Sequence, residues 1–340
     1  MDIHDVRFNL QRKARRLARL ASSALLLVSA FAAIHPALAV TFGQTAHQGP
    51  SLAAFNGKLY IAVTGTNAQN TMYINSSADG VNWPGTFQSL APQSSIPNAG
   101  PALAAFNGSL YVAWTGGGNQ INIYHSSDGV NFGGQINLGA SNSVFTSTGG
   151  PSLTATANDL ILSWLGTIVN GGQTEPAIYS SYSTDGVNWS TPLLSGLGSE
   201  SVAPYAPAVF AFNNASGTKG CLAYIVPASS IAPQRRILPG SIPGIGSCGL
   251  PIPAEEPYTT GVGMGLNGSD YFLIWVGTAL STQVRIWHFT ASGSSFIYDG
   301  ETQTGQTSFT NPAIAGFNGH VFYAWSGTDN PSHVNVAQFE

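Results

Sequence analysis

This 340-residue chain has little charge: only 8% of its residues are Asp, Glu, Lys or Arg, where ordinary globular chains run about 25%. It has two cysteines, Cys221 and Cys248, and three methionines. Five of the eight arginines lie within the first 19 residues, and none lies between Val40 and Lys219. These scarcities exclude several classes. Nucleic-acid binding needs clustered Lys and Arg to neutralise phosphates. Long helices and coiled coils need Ala, Glu, Lys and Leu in quantity. Disorder through charge repulsion is excluded by 43% apolar content and a net charge of −4. What is abundant is glycine, at 40 residues, with 11% aromatics. That mixture describes an uncharged, turn-rich β protein.

Six of the eleven basic residues (Arg7, Arg12, Lys13, Arg15, Arg16 and Arg19) precede an apolar run from Leu20 to Ile34, which is followed by Ala37-Leu38-Ala39. A basic stretch, a short apolar segment and an A-x-A exit form a secretory signal peptide. The run is shorter than the roughly 20 residues a spanning helix needs. The expectation is a leader over 1–39 cleaved after Ala39, a secreted or periplasmic product, and one mature domain over 40–340 with no membrane span. Five basic residues then remain (Lys58, Lys219, Arg235, Arg236, Arg285), against 13 acidic ones. Two cysteines in an exported chain are most simply a disulfide, here Cys221 with Cys248. No CxxC exists and no histidine sits at ligand spacing beside either, so no metal and no cofactor are expected.

The mature chain repeats itself. Pro50 opens PSLAAFNGKLYIAVTGT, Pro101 PALAAFNGSLYVAWTGG, and Pro151 PSLTATANDLILSWLGT. The pattern degrades after Pro207, reads TGVGMGLNGSDYFLIWVGT from Thr260, and returns at Pro312 as PAIAGFNGHVFYAWSGT. Each unit of about fifty residues parses into four short strands. A first apolar strand ends in Asn-Gly (56-57, 107-108, 267-268, 318-319), whose tolerance of positive φ suits a type I′ hairpin. The second strand is apolar on both faces, so both faces must be covered. A Gly/Thr/Asn loop, a third strand and a polar fourth strand complete a propeller blade. The sixth unit stops after its third strand, and Val40–Gln48 is an orphan strand at the other end. The expectation is a six-bladed β-propeller of four-stranded antiparallel blades, closed by N- and C-terminal strands.

Three units share a second motif after the third strand: Ser77-Ala78-Asp79-Gly80-Val81-Asn82-Trp83, Ser126-Ser127-Asp128-Gly129-Val130-Asn131-Phe132 and Ser183-Thr184-Asp185-Gly186-Val187-Asn188-Trp189. These resemble the Asp-boxes of sialidase-type propellers, in a variant where Gly directly follows Asp. The resemblance implies structural rather than catalytic aspartates, on the face opposite the active site. Sialidases also hold their substrate's carboxylate with three arginines, the first in an Arg-Ile-Pro motif before the first Asp-box. That pattern is missing here, and Arg235 and Arg236, adjacent on a strand, point to opposite faces.

Another glycoside hydrolase needs two carboxylates across one pocket. The weak candidates are Glu175, placed in the loop after the third unit's second strand, and Glu255 and Glu256, in the linker between the fourth and fifth units. His47, His125, His288, His320 and His333 are scattered. A glycan-binding module suits the sequence better. The loops Thr64–Asn67, Thr115–Gln120, Gly277–Thr278 and Gly327–Asn330 are short, neutral and rich in amides and hydroxyls, with Asn119, Gln120 and Asn330 as ligand candidates. Trp114, Trp164, Trp275 and Trp325 end the preceding strands, either as stacking platforms for sugar or polysaccharide or as inter-blade core. The expected state is a monomer; a protein-interaction propeller is the third reading.

Overall fold

The computed structural model describes residues 39–94, 99–196, 206–214, 217–226, 236–245, 249–253, 261–277, 281–292 and 295–339. Apart from one helical turn at Leu138–Ser141 and a 3-10 turn at Gly117–Asn119, the regular structure there is β. Blade 1 comprises β2 (Ser51–Phe55), β3 (Lys58–Thr64), β4 (Thr71–Ser77) and β5 (Gln88–Ser94). Blade 2 comprises β6 (Ala102–Phe106), β7 (Ser109–Thr115), β8 (Ile121–Ser126) and β9 (Gly133–Asn137). Blade 3 holds β10 (Pro151–Ala155), β11 (Leu160–Asn170), β12 (Gln173–Ser183) and β13 (Leu193–Gly196). Blade 4 shows three strands among the described residues: β14 (Ala208–Asn214), β15 (Gly217–Val226) and β16 (Arg236–Ser241). Blade 5 has β17 (Gly263–Asn267), β18 (Asp270–Val276), β19 (Gln283–Ser292) and β20 (Ser295–Thr307). Blade 6 has β21 (Ala313–Phe317), β22 (His320–Ser326) and β23 (His333–Gln338). Its outermost strand is β1 (Val40–Thr45), from the other end of the chain, antiparallel to β23 with Val40 opposite Val336.

The innermost strands touch in the cyclic order β2, β6, β10, β14, β17, β21 and back to β2, so the six sheets form the expected propeller. The packing explains the double-faced hydrophobicity of the second strands. In β3, Leu59 and Ile61 face one inter-blade cluster, with Phe317 and Phe322, while Tyr60 and Ala62 face the next, with Leu103 and Leu110.

Three Asn-Gly hairpins behave as expected: Asn56 and Gly57, Asn107 and Gly108, and Asn318 and Gly319 all take positive φ. Asn267-Gly268 differs. Asn267 pairs with Asp270, so the turn residues are Gly268 and Ser269. Only Gly268 is at positive φ among them (61°), as a turn with glycine in its first central position allows. The extra Ser269 moves the motif by one residue. The third blade also departs from expectation. Glu175 is not in a loop: Gly171 and Gly172, at φ 57° and 82°, close a two-residue hairpin that carries β11 and β12 outward, pairing Glu175 with Ile168.

The three Ser-x-Asp-Gly turns share one geometry. Oδ1 of Asp79, Asp128 and Asp185 accepts the backbone N–H groups two and three residues on, at 2.7–2.9 Å. Oδ2 accepts the amide of Asn82, Asn131 or Asn188 at 2.6–2.7 Å, and the glycines take φ of 75–78°. Hydrogen bonds from the asparagine that follows, largest at Asp79 and Asp185 from its side chain and at Asp128 from its backbone, hold all three carboxyls well below the usual range. A folded-state pKa below the unfolded one adds stability above that unfolded value and loses it as pH falls towards the depressed one. Unfolding midpoints should therefore fall steeply below about pH 4, and Asp128→Asn should flatten that dependence while lowering stability at pH 7. Denaturant melts across pH measure both.

Candidate functional site

The antiparallel alternation separates two faces. Asn-Gly hairpins and Ser-x-Asp-Gly turns share one end, tied together where Asn56 Nδ2 donates to the Ser127 carbonyl and Asn107 Nδ2 to that of Thr184. The other end carries the neutral loops and the prolines that open five of the six units (Pro50, Pro101, Pro151, Pro207 and Pro312). There the central channel narrows to a cavity of about 110 Å³ walled by the starts of the innermost strands of all six blades. Its described wall is Pro, Gly, Ala, Val, Leu, Ile, Met and Ser, with Gln48 and Asn311 as its amide side chains. Asn311 is already committed, accepting the Gly261 N–H at 2.7 Å. Of the three carboxylates singled out in sequence, Glu175 lies on the extended hairpin of blade 3, and Glu255 and Glu256 lie outside the described residues.

The tryptophans resolve towards core. Trp114, Trp164 and Trp275 are fully buried and Trp325 is 2% exposed. Trp164 is sandwiched between Phe145 and Tyr179 at centroid distances of 5.1 and 5.8 Å, and its indole N–H donates to the Val144 carbonyl at 3.1 Å. An indole held this way offers no face to a sugar. The large apolar area buried in these rings serves blade-to-blade packing instead.

On the third strand, directly across from each tryptophan and from its blade 1 counterpart Val63, stands a residue whose position the sequence does not signal. Tyr73 pairs with Val63, Asn122 with Trp114, Tyr179 with Trp164, Arg285 with Trp275 and Asn335 with Trp325. Each of the five lies against the glycine two residues after its second-strand partner (Gly65, Gly116, Gly166, Gly277, Gly327), where a Cβ would crowd it. Their offsets from the second-strand partner are 10, 8, 15, 10 and 10 residues. Unequal loops therefore hide in sequence a position that the sheet register makes equivalent.

Around this position the polar loops become networks. In blade 2, Gln135 Nε2 donates to Asn122 Oδ1 at 3.1 Å, Asn122 Nδ2 to the Gln120 carbonyl at 2.9 Å, and Asn137 Nδ2 to Gln120 Oε1 at 2.7 Å. Asn122 is buried, Gln120 and Asn137 are half-buried, and Gln135 and Asn119 are exposed. A continuous strip of amides thus runs from interior to solvent. Where blade 6 meets blade 1, Thr45 and Thr66 share a hydroxyl bond of 2.6 Å, and Asn67 Nδ2 donates to Thr71 Oγ1 at 2.9 Å. Blade 5 meets blade 6 through Thr307 and Thr328, at 2.9 Å. Asn330 is exposed and precedes a cis proline, Pro331. Beside it the hydrogen bond from His333 holds the Asp329 carboxyl below its ordinary value. Neutral donors and acceptors dominate this face, an arrangement suited to orienting hydroxyl-rich ligands.

No protein-family model matches the chain, and no curated protein matches its sequence. Solved structures do match in shape. A protein of unknown function from Dyadobacter fermentans superimposes with a TM-score of 0.61 at 13% identity, over 88% of this chain and 97% of its own. The Trypanosoma rangeli sialidase, in complex with sialic acid, gives 0.56 at 12% identity over 91% of this chain, which spans 58% of the sialidase. A triple-arginine mutant of AofleA from Arthrobotrys oligospora gives 0.55 at 9% identity, covering 89% and 86% of the two chains. At such identities the likeness carries the fold alone: this chain has the six-bladed propeller architecture found in sialidases and sialidase-like proteins.

Proposed function

We propose that this chain is an exported propeller that binds neutral extracellular glycan, such as a cell-surface polysaccharide, as a monomer and without catalysing its cleavage. The observation that carries this reading is the amide strip of Gln120, Asn122, Gln135 and Asn137, with Asn119 beside it, open to solvent at one end on the polar face. Amides supply donors and acceptors in pairs, as a sugar's hydroxyls require, without charge to repel or clamp. Related polar groups recur at two blade boundaries, and several weak sites on one rigid ring gain avidity on a polymeric ligand. The basic leader supports export. An oxidising destination agrees with a Cys221–Cys248 disulfide: Cys221 is buried in β15, and Cys248 lies outside the described residues. Among the described residues no helix is long and apolar enough to cross a membrane.

A glycan array probed with the full chain tests the proposal. Binding to neutral oligosaccharides is expected, weakened about 2- to 10-fold by Asn122→Ala or Gln135→Ala, the cost of one or two hydrogen bonds. Silence across every neutral glycan overturns it. Turnover of an aryl glycoside, lost on Glu175→Gln, would move the chain among the hydrolases instead.

A further inference from the structure

We infer that blade 5 carries a saccharide subsite for an acceptor-only oxygen, the amide carbonyl of an acetamido group, at Trp275 and Arg285. The inference rests on the glycan-binding reading above and specifies one of its sites. Trp275 and Arg285 are direct cross-strand partners, and the guanidinium carbon lies 5.4 Å from the indole centroid. Arg285 Nη1 donates to Glu301 Oε1 at 2.6 Å, and Trp287 Nε1 donates to Glu301 Oε2 at 2.8 Å. Both carboxylate oxygens are thereby engaged and the arginine's charge is offset. Two donors remain: the indole N–H of Trp275 and Nε–H of Arg285 are buried and find no partner among the described residues.

A buried donor without a partner is costly, and here two stand on adjacent strands at one place. The equivalent tryptophan of blade 3 gives its N–H to a backbone carbonyl, and Asn122 and Asn335 at the arginine's position are hydrogen-bonded. Only an acceptor can satisfy the blade 5 pair. A hydroxyl or a water brings its own hydrogen, which must find a further acceptor inside the cluster, and Glu301 offers one only through the second lone pair of an oxygen that already accepts. A carbonyl brings lone pairs alone. A carboxylate would meet an arginine already neutralised, on a chain of net charge −4, so the uncharged carbonyl suits the site best. The side chains of Arg285 and Glu301 keep 16% and 18% exposure, which places the cluster at the blade surface. Gly277 leaves room beside Nε: a Cβ there would stand 2.6 Å from it.

The test is a titration of the ¹⁵N-labelled full chain with N-acetylglucosamine, glucose or glucuronate, following the indole and arginine Nε–H signals. Trp275→Phe and Arg285→Lys assign the two signals independently. With N-acetylglucosamine both should shift downfield together; with glucose neither should move; Gly277→Ala should abolish the response. Three outcomes overturn the inference: no shift with any sugar, meaning an enclosed water serves the donors; an equal shift with glucose; or a shift with glucuronate alone. Array binding that persists in Trp275→Phe beside a silent titration would reject this subsite and leave the glycan-binding reading intact. Silence in both would reject the two together.

Discussion

Gly49→Ala leaves the ring unable to close between its last and first blades. Gly49 stands just before the proline that opens blade 1, and a methyl group there would fall on the backbone carbonyl oxygen of Asn311, in the corresponding place of blade 6. Neither side has a flexible end that can swing aside, since both are main chain. The same segment is stitched across the seam. The Ala46 N–H donates to the Ser332 carbonyl of blade 6, the His47 N–H to the Thr64 carbonyl of blade 1, and Ser326 Oγ to the Gln48 carbonyl. Moving Gly49 therefore pulls on β1, the strand by which the chain's start completes blade 6. The expected loss is about 3 kcal/mol or more, at the upper end of overpacking costs, with hydrogen-exchange protection lost first in Val40–Thr45. Gly43→Ala is the control, because nothing lies within 4 Å of a Cβ at Gly43; it should be close to neutral. Equal stability of the two variants would refute this account of the seam.

Gly129→Ala should cost about 2–4 kcal/mol, a left-handed backbone penalty added to a steric one. Gly129 has φ of 75°, and a methyl there would run into the hydroxyl of Tyr60, a buried side chain on the preceding blade. Burial, and then the charge of Asp128, push that phenol's pKa up. Gly108→Ala isolates the backbone part, since Gly108 has φ of 70° and open space around it; about 1 kcal/mol is expected there. The remainder belongs to the inter-blade clash, so Tyr60→Phe combined with Gly129→Ala should recover part of it. A double-mutant cycle by denaturant unfolding reads the coupling. Additivity within about 0.5 kcal/mol would show that the two blades do not communicate through this contact.

That contact repeats around the ring. Gly80 of blade 1 lies under Phe322 of blade 6, Gly129 under Tyr60, and Gly186 of blade 3 under Tyr111 of blade 2. Each Ser-x-Asp-Gly turn is thus preceded by a blade with an aromatic ring at one fixed place in its second strand. Blade 3 has Ile161 and blade 4 has Cys221 at that place, and the blades after them lack the turn motif. The motif is half of an inter-blade fit whose other half lies about seventy residues upstream, or, for blade 1, at the far end of the chain.

Legible in the sequence alone were the blade count, three of the four Asn-Gly hairpins and the closure by both ends. Each of these rests on local chemistry repeated in phase: Asn-Gly supplies positive φ, and strands apolar on both faces demand neighbours on both. The same local chemistry was silent on what faces solvent. Trp114 and Trp164 end their strands beside polar loops, and only packing against the adjoining blades showed that their rings are enclosed. Asn122, Tyr179 and Arg285 share one place in the fold, yet loops of different length put them out of phase along the chain. A candidate site became visible only in three dimensions, because such a face is assembled across strands and blades, where register and burial, rather than spacing, bring side chains together. The shortage of charge describes that face directly: apart from Arg285 with Glu301 and Asp329 with His333, its described networks are built from amides and hydroxyls.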